Sequence, residues 1–317
     1  MGAGQHPLHS VMRGTVAEDE PLARHTTLRV GGPARFFAVP AAEADLAVAL
    51  RWAEAASVRW RVIGLGSNLL CPDEGFGGMI LDLSRACREV TFSGNRIAAG
   101  AGVHLAPLVR AAAGRGLAGL EGVAGVPGTV GGALTMNAGT AAGETAALVE
   151  SVRAMRADGT VVELSAEEMR FSYRHSRLQE EPWVALSAVL RLTPGDPGEL
   201  RRELAARAVR RRQSQPLELP NAGSIWRNPP GDFAGRLVEA AGCRGLRVGD
   251  AQVSPRHGNF IVNLGNARAA DILALMIEVR RQVAASSGVL LQPEVRWLSG
   301  QSDLMALLDR GPPEDGG

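Results

Sequence analysis

Apolar and polar residues follow two different periods along the chain, and these periods predict its secondary structure. Apolar side chains that recur every three or four residues give a helix one apolar face, whereas alternation or a short apolar run is typical of a strand. The helical pattern is clearest at residues 271–285, where Ile272, Leu275, Met276 and Val279 share one face. The pattern predicts helices at residues 42–56, 104–116, 199–213, 233–241 and 271–285.

Short apolar or alternating runs predict the strands. Two of them flank Asp158-Gly159, a dipeptide that is the strongest short signal for a β-hairpin. The strands are expected at residues 60–63, 79–83, 150–156, 160–164, 183–192, 259–264 and 289–297. Their mixture with the helices predicts an α+β protein.

The run Thr193-Pro-Gly-Asp-Pro-Gly198 breaks the pattern and predicts a domain boundary. We expect a loose tail at residues 1–18 and a first region at residues 19–196, with two subdomains that divide near residues 85–95. A smaller domain should follow at residues 197–298, and residues 299–317 should form a disordered tail.

Composition excludes several classes of protein. The sequence contains no lysine, so all 34 basic residues are arginine, and both Walker-type phosphate loops and Schiff-base enzymes are excluded. With 33 acidic residues the net charge is +1, which gives no overall field for a nucleic acid or an anionic membrane. The arginines of residues 199–213 are interpreted as a solvated helix face, since no aromatic residue lies among them.

The number and spacing of the cysteines and histidines indicate the cellular compartment and whether a metal site is present. The three cysteines are an odd number without paired spacing, which favours a reducing compartment and a cytoplasmic protein. Neither they nor the six histidines show metal-ligand spacing, so we predict no metal site. Residues 1–10 are polar and interrupted by glycine and proline, unlike a signal peptide.

Two glycine-rich segments are candidate ligand sites. Gly64-Leu-Gly-Ser-Asn-Leu-Leu70 follows a predicted strand and offers successive backbone N–H groups to a phosphate, although a plain turn is an equal alternative. Residues 116–139 combine frequent glycine with valine, leucine and methionine. This combination favours a ligand cradle over tight packing alone.

Three polar segments are candidate reaction sites. Residues 171–176 place Tyr173, Arg174 and His175 side by side, either as a clamp for an anion or as a surface strand end. Ser224 follows Gly223 and is typical of a turn or helix-capping serine. Residues 292–297 predict a strand with Glu294 and Arg296 on one face, as in an ordinary ion pair.

Taken together in chain order, these segments resemble the bacterial UDP-N-acetylenolpyruvoylglucosamine reductase family. The resemblance covers residues 25–297 and depends on the order of the motifs, because each motif alone is weak. The motifs are His25-Thr-Thr-Leu-Arg-Val-Gly-Gly32, the segment 64–70, Val126-Pro-Gly-Thr-Val-Gly-Gly-Ala133 with Met136-Asn-Ala-Gly139, Tyr173-Arg-His-Ser176, Ala222-Gly-Ser224 through Asn228-Pro229, and Pro293-Glu-Val-Arg296.

The resemblance implies a fold and a reaction. The fold would be an FAD-binding region of the vanillyl-alcohol-oxidase type, followed by a smaller α+β substrate-binding domain. NADPH would reduce FAD, and hydride from flavin N5 would then pass to C3 of UDP-N-acetylglucosamine enolpyruvate, with protonation at C2. The product, UDP-N-acetylmuramate, is a peptidoglycan precursor, which ties the chain to cell-wall formation, cell shape and division. We expect a monomer that binds this small molecule and neither nucleic acid nor membrane.

The resemblance also implies roles for individual residues. Arg174 and Glu294 would stabilise the enolate-like intermediate, and Ser224 would protonate it. The residues expected to bind FAD are Gly64, Gly66, Ser67, Asn68, Leu69, Val126, Pro127, Gly128, Thr129, Gly131, Gly132, Asn137 and Gly139. The residues expected to bind substrate are Tyr173, Arg227, Asn228, His257 and Asn259.

The sequence departs from the common family pattern at a few positions, which affects single contacts and not the reaction. Tyr173 is the only tyrosine, which places the chain in the branch without a tyrosine-bearing substrate loop. Arg227 stands where the family commonly has lysine, and Thr140-Ala-Ala142 lacks an aromatic residue often found there.

Two alternatives to the implied reductase function remain open. They are a flavin oxidase of an alcohol or sugar on the same fold and a non-catalytic UDP-sugar-binding protein.

Overall fold

A computed structural model describes residues 7–298 and 303–310 of the chain. The helices in these ranges are α1 (Leu8–Val11), α2 (Glu43–Ala55), α3 (Leu105–Gly114), α4 (Val130–Met136), α5 (Pro197–Ser214), α6 (Ala234–Ala240), α7 (Ala269–Ser287) and α8 (Leu304–Arg310). The strands are β1 (Thr15–Pro21), β2 (Pro33–Val39), β3 (Trp60–Ile63), β4 (Leu69–Leu70), β5 (Phe76–Asp82), β6 (Val90–Ser93), β7 (Arg96–Gly100), β8 (Leu117–Ala118), β9 (Gly139–Thr140), β10 (Gly143–Glu144), β11 (Val149–Arg156), β12 (Val161–Ser165), β13 (Trp183–Arg191), β14 (Thr193–Pro194), β15 (Arg247–Val248), β16 (Ala251–Val253), β17 (Ile261–Asn263) and β18 (Arg296–Trp297).

The chain divides into two compact units, and each has its own hydrophobic core. The first unit is assembled from Met1–Glu18, Phe36–Leu65 and Gly78–Arg210, as far as these ranges are described. The second is assembled from Asp19–Arg35, Gly66–Gly77 and Arg211–Gly317, with the same restriction. This division differs from the predicted one, because residues 19–35 and 66–77 belong with the C-terminal part of the chain. The assignment of residues 19–196 to cofactor and 197–298 to substrate stays a prediction.

The first unit is built around an antiparallel sheet of five strands in the order β12-β11-β13-β7-β6. The predicted hairpin is confirmed: β11 and β12 pair with Ser151 opposite Ser165, and Gly159 in the connecting turn has a φ of +87°. A second sheet has the order β1-β2-β5-β3, in which β3 and β5 run parallel. The core of this unit includes Leu46 and Leu50 of α2, a helix that the apolar period predicted.

The second unit packs α7 and α6 with the antiparallel sheet β15-β16-β17. The four residues that define the predicted apolar face, Ile272, Leu275, Met276 and Val279, are all buried in α7. The helix extends slightly beyond the prediction at both ends and stops before Gly288, where φ is +71°. The start of α7 is fixed by Asp73, whose carboxylate oxygens accept the N–H groups of Ala269 and Ala270 at 2.8 and 3.0 Å. A carboxylate at this position satisfies N–H groups that have no partner within the helix. The distant segment 66–77 is thereby joined to the unit.

Three sequence predictions are wrong. The predicted strand at residues 289–297 is a strand only at Arg296–Trp297, because the segment before it pairs through single contacts, among them the Trp226–Pro293 bridge. The tail at 1–18 is not loose throughout, since α1 and the start of β1 lie within it. The tail at 299–317 is not disordered throughout, since α8 buries Leu304 and Leu308 in the second core. Residues 1–6, 299–302 and 311–317 lie outside the described residues.

The basic helix α5 is polar on nearly every side. Leu200 is its one buried residue, and Glu203 accepts two hydrogen bonds from Arg207 one turn later. In the part of the chain that the structure describes, no helix combines the length and apolar character needed to cross a bilayer.

Candidate cofactor and substrate sites

The first glycine-rich turn, residues 64–70, follows β3 and leads into β4. Gly66 has a φ of +60°, and a Cβ there would lie 2.1 Å from the carbonyl oxygen of His25. A Cβ on Gly64 would lie 2.7 Å from Oγ1 of Thr129. Gly66 is therefore required by its backbone conformation and by the His25 carbonyl, whereas Gly64 is required by the close approach of the Thr129 side chain. Within residues 7–298 and 303–310, the N–H groups of Gly66 and Asn68 donate to no backbone acceptor. Neighbouring N–H groups of this kind are the donors that an anion-binding backbone nest uses.

In the second glycine-rich segment, residues 116–139, some glycines are needed for close packing and one borders open space. A Cβ on Gly131 would lie 3.0 Å from Cβ of Ala101, and one on Gly139 would lie 2.4 Å from the carbonyl oxygen of Gly143. At Gly132 the one described atom within 4 Å of such a Cβ is Oγ1 of Thr129, at 3.6 Å. Gly132 therefore borders room for a ligand, whereas Gly131 and Gly139 are explained by packing.

The N–H groups at the start of α4 are already used by the protein. Val130 donates to Val103 at 2.8 Å, Gly131 donates to Ala101 at 2.8 Å, and Gly132 donates to Oγ1 of Thr129 at 3.3 Å. The carbonyl of Gly128 accepts from Leu105 at 3.0 Å. The N–H groups of Val130, Gly131 and Gly132 are thus satisfied within the protein, which holds the start of α4 in place.

Asn137 acts as a brace at the end of α4. It is 1% exposed, and its amide nitrogen donates to Oε2 of Glu144 at 2.8 Å and to the carbonyl of Ser172 at 3.0 Å. Its amide oxygen accepts from Ala146 at 2.9 Å. Because both N–H donors are used, the side chain fixes the turn that precedes Arg174. A direct contact with FAD stays a prediction.

Arg174 is held in a strained turn with its charge in place. Ser172 and His175 exchange backbone hydrogen bonds of 3.1 and 3.0 Å, and Arg174 between them has a φ of +56°. Its guanidinium donates to the carbonyl of Gly139 at 3.2 Å, lies 3.8 Å from Oε1 of Glu144 and stacks 4.8 Å from the ring centre of Tyr173. A left-handed conformation is uncommon outside glycine and often marks a functional position. Sequence reasoning identified Arg174 and Tyr173 but not Glu144, whose position beside the guanidinium depends on the fold.

Ser224 and Glu294 lie on paired segments of the second unit. Ile225, directly after Ser224, accepts the backbone N–H of Glu294 at 2.8 Å and donates to Asn259 at 2.9 Å. The side chain of Asn68 donates to the carbonyl of Glu294 at 3.1 Å. The structure therefore brings together the segments of four predicted site residues, namely Asn68, Ser224, Asn259 and Glu294.

Arg227 offers an unsatisfied donor. Its backbone N–H donates to Gln292 at 2.9 Å, but its buried Nε has no hydrogen-bond partner among the described residues. A buried N–H without an acceptor is costly, and an anionic ligand would satisfy it. Its neighbour Asn228 uses its amide oxygen to accept the N–H of Ala234 at 3.0 Å, which fixes the start of α6.

Asn259 holds the backbone of Trp226 in place, and His257 in turn holds Asn259. The side chain of Asn259 is 4% exposed and forms two bonds of 2.8 Å with the backbone N–H and carbonyl of Trp226. Nδ1 of His257 accepts the N–H of Asn259 at 3.1 Å, and burial, aided by Arg244, lowers the pKa of the imidazole. The ring is therefore neutral at pH 7 with its proton on Nε2. Direct substrate contacts from these two residues stay predictions.

Replacing Gly66 with alanine should damage the first turn. The new Cβ would meet the His25 carbonyl in a backbone conformation that alanine rarely adopts, so we expect a loss of about 2–4 kcal/mol in unfolding free energy and weaker flavin retention. Thermal unfolding and the flavin absorbance of the purified variant measure both effects. The control is Gly77→Ala, since a Cβ at Gly77 meets nothing within 4 Å. Equal behaviour of the two variants would contradict the expectation.

Comparisons with known proteins cover nearly the whole chain. Residues 34–165 match the FAD binding domain model, and residues 215–298 match the C-terminal domain model of UDP-N-acetylenolpyruvoylglucosamine reductase. The chain is 45% identical to the reductase of that name from Heliobacterium modesticaldum over 96% of both chains, and 45% identical to the one from Azorhizobium caulinodans over 90% of this chain and 92% of the other. The crystal structure of UDP-N-acetylenolpyruvylglucosamine reductase from Thermus caldophilus aligns with a TM-score of 0.76 at 38% identity, covering 90% of this chain and 99% of that one. The predicted order of an FAD-binding region followed by an α+β domain is confirmed.

Proposed function

The chain belongs to the UDP-N-acetylenolpyruvoylglucosamine reductase family, and on this premise we propose that it reduces UDP-N-acetylglucosamine enolpyruvate to UDP-N-acetylmuramate at the expense of NADPH. The observation that carries the assignment is the backbone hydrogen bond between Ile225 and Glu294, because it pairs the segment of the proposed acid Ser224 with that of a carboxylate. A flavin oxidase of a different substrate has no need for this pairing.

The glycine segments fit FAD. The N–H groups of Gly66 and Asn68 suit an anionic pyrophosphate, and the space beside Gly132 suits a part of the cofactor that approaches the backbone closely. By the family resemblance, Ser67 and Leu69 would also contact FAD, and so would Val126, Pro127, Gly128 and Thr129. When bound, FAD takes hydride from NADPH and supplies it to C3 of the substrate vinyl group.

Arg174 meets the negative charge that develops on the substrate. Hydride addition at C3 moves charge toward C2 and the carboxylate, as in an enolate. A guanidinium that is already oriented by Gly139, Glu144 and Tyr173 needs no rearrangement to stabilise that charge. Glu294 assists in this role when it carries a proton, because a bare carboxylate would repel the enolate.

Ser224 completes the reaction by giving its hydroxyl proton to C2. A serine hydroxyl is a weak acid, so it serves only against a strongly basic carbon and with a hydrogen-bonded proton supply. Over one turnover the double bond gains a hydride at C3 and a proton at C2, and NADPH is oxidised to NADP. Arg227 holds the diphosphate of the substrate, which supplies the acceptor that its buried Nε lacks.

The setting of the reaction is proposed on the same premise. UDP-N-acetylmuramate is a soluble precursor of peptidoglycan, so the protein contributes to the cell wall and, through it, to cell shape and division. We place it in the cytoplasm as a monomer. Its net charge of +1 gives it no general attraction to nucleic acid or to an anionic membrane.

Anaerobic flavin absorbance tests the proposed function in one cuvette. NADPH should bleach the flavin of the purified protein, and addition of UDP-N-acetylglucosamine enolpyruvate should restore the oxidised spectrum. A flavin that NADPH does not bleach would favour an oxidase. A protein that takes up no FAD would leave a UDP-sugar-binding role.

A further inference from the structure

Arg280 is a charged residue in the middle of an apolar helix face. It lies on α7 between the core residues Met276 and Val283, and it is 5% exposed. Arginine is almost never buried without partners, because removing its charge from water is costly. The proposed reaction gives this side chain no role, so its burial requires another explanation.

The Arg280 guanidinium joins three parts of the second unit. Nε donates to the carbonyl of Leu291 at 3.0 Å, and Nη1 donates to Oδ1 of Asp309 at 2.8 Å. Asp309 lies on α8, and that helix is held against the same core by Leu304 and Leu308. The guanidinium is therefore fixed from two sides, once by a backbone carbonyl and once by a counter-charge from the C-terminal helix.

Leu291 opens the segment that carries Glu294. One residue on, the carbonyl of Gln292 accepts the N–H of Arg227 at 2.9 Å, and Glu294 donates to Ile225 at 2.8 Å. The segment does not enter a strand until Arg296. Its position therefore depends on these individual bonds. The hydrogen bond from Arg280 to the carbonyl of Leu291 holds the N-terminal end of the segment.

We propose that Arg280 is a positioning residue for the Glu294 segment, and that Asp309 on α8 supports it by balancing its charge. The C-terminal helix thereby contributes to the site without touching the substrate. The proposal rests on the proposed function for what Glu294 does, but the anchoring of the segment is independent of it. Removal of the anchor should loosen residues 291–294 and leave the first unit unchanged.

Arg280→Met tests this directly, because methionine keeps much of the length and removes both hydrogen bonds. Hydrogen exchange within residues 291–294 should speed up by about tenfold or more, as read at Leu291, Gln292 and Glu294, because Pro293 has no N–H. The limiting rate of flavin reoxidation by the enolpyruvyl sugar should fall by about 10- to 100-fold, since a small misplacement of a catalytic group is enough for such a loss. Flavin reduction by NADPH should stay within about twofold, because that half-reaction does not use Glu294.

Three further variants separate positioning from general stability. Arg280→Lys keeps the charge and can form one of the two hydrogen bonds, so it should retain part of the reoxidation rate that Arg280→Met loses. Asp309→Asn changes a side chain that is 57% exposed, so it should fold and show a smaller loss of the same kind. Arg281→Met alters the neighbouring arginine, which is 65% exposed and pairs with Glu278, and it should behave as the native protein.

The outcomes distinguish the two proposals. Faster exchange at residues 291–294 together with selective loss of reoxidation supports the positioning role. Equal slowing of both half-reactions, or native exchange at residues 291–294 in Arg280→Met and Asp309→Asn, overturns it. If the native protein fails to reduce the enolpyruvyl sugar, the proposed function fails, whereas faster exchange in the variants still supports the anchor.

Discussion

Replacing Ser224 with alanine should slow reoxidation of the reduced flavin by UDP-N-acetylglucosamine enolpyruvate by about 10²- to 10⁴-fold, the usual contribution of a general acid. Alanine removes the hydroxyl and leaves the backbone bonds of Ile225 to Glu294 and Asn259 in place. NADPH should still reduce the flavin at the native rate, because that step requires no proton at C2. Stopped-flow absorbance measures the two half-reactions separately.

The control for this variant is Ser286→Ala. Ser286 lies on α7 in the same unit, and its hydroxyl donates to the carbonyl of Val283 at 3.2 Å. Both half-reactions should be unaffected there. If Ser224→Ala slowed flavin reduction as much as reoxidation, Ser224 would support the structure rather than supply the proton.

Replacing Arg174 with lysine should reduce the rate of reoxidation by about 10²- to 10³-fold, as expected for the loss of a preorganised donor to a developing anion. Lysine keeps the positive charge but lacks the planar fork that reaches Gly139 and Glu144 and stacks on Tyr173. The backbone change is small, since both side chains meet the same restriction at φ +56°. Rapid mixing of the reduced enzyme with substrate gives the limiting rate.

Arg170→Lys is the matched control for Arg174→Lys. Arg170 lies in the same part of the chain, has a φ of +49° and forms an exposed ion pair with Glu180 at 2.6 Å. Exposed pairs contribute little, so its rate should stay within about twofold of native. Comparable losses in the two variants would mean that the whole segment, and not the Arg174 guanidinium, governs the reaction.

Local signals predicted most of the secondary structure. The apolar period placed α2 and α7 to within two residues at each end, because both helices bury one face against a core. The Asp158-Gly159 hairpin followed from turn chemistry, which requires a positive φ at the glycine. In these cases a property of the neighbouring residues decides the conformation.

Predictions failed where contacts between residues far apart in the sequence determine the conformation. The alternation at residues 289–297 resembles a strand, but bonds to Ile225 and Arg227 set its path before β18. The helix α8 has only two buried leucines and depends on the core of the second unit. The division into units escaped detection because Asp73 joins α7 from nearly 200 residues away.

The candidate site shows the same limit. The motifs gave the residue positions, but they could not show how each side chain is used. Asn137 and Asn259 use their amides within the protein, whereas Arg227 keeps a buried donor unsatisfied. Whether a polar group faces the protein or a ligand depends on the partners that the fold supplies.

The discontinuity of the second unit has a consequence for synthesis on the ribosome. Its first two segments are made early and carry Leu28, Val30 and Leu70. These residues are buried in a core whose other buried residues all lie in the third segment, which begins at Arg211. Roughly 130 residues separate Gly77 from Arg211, and their synthesis takes about 7 to 26 s at ordinary rates of translation. During that interval the apolar residues of these segments cannot pack into the second core, so they can misfold or bind chaperones. The first unit can begin to fold in the same interval.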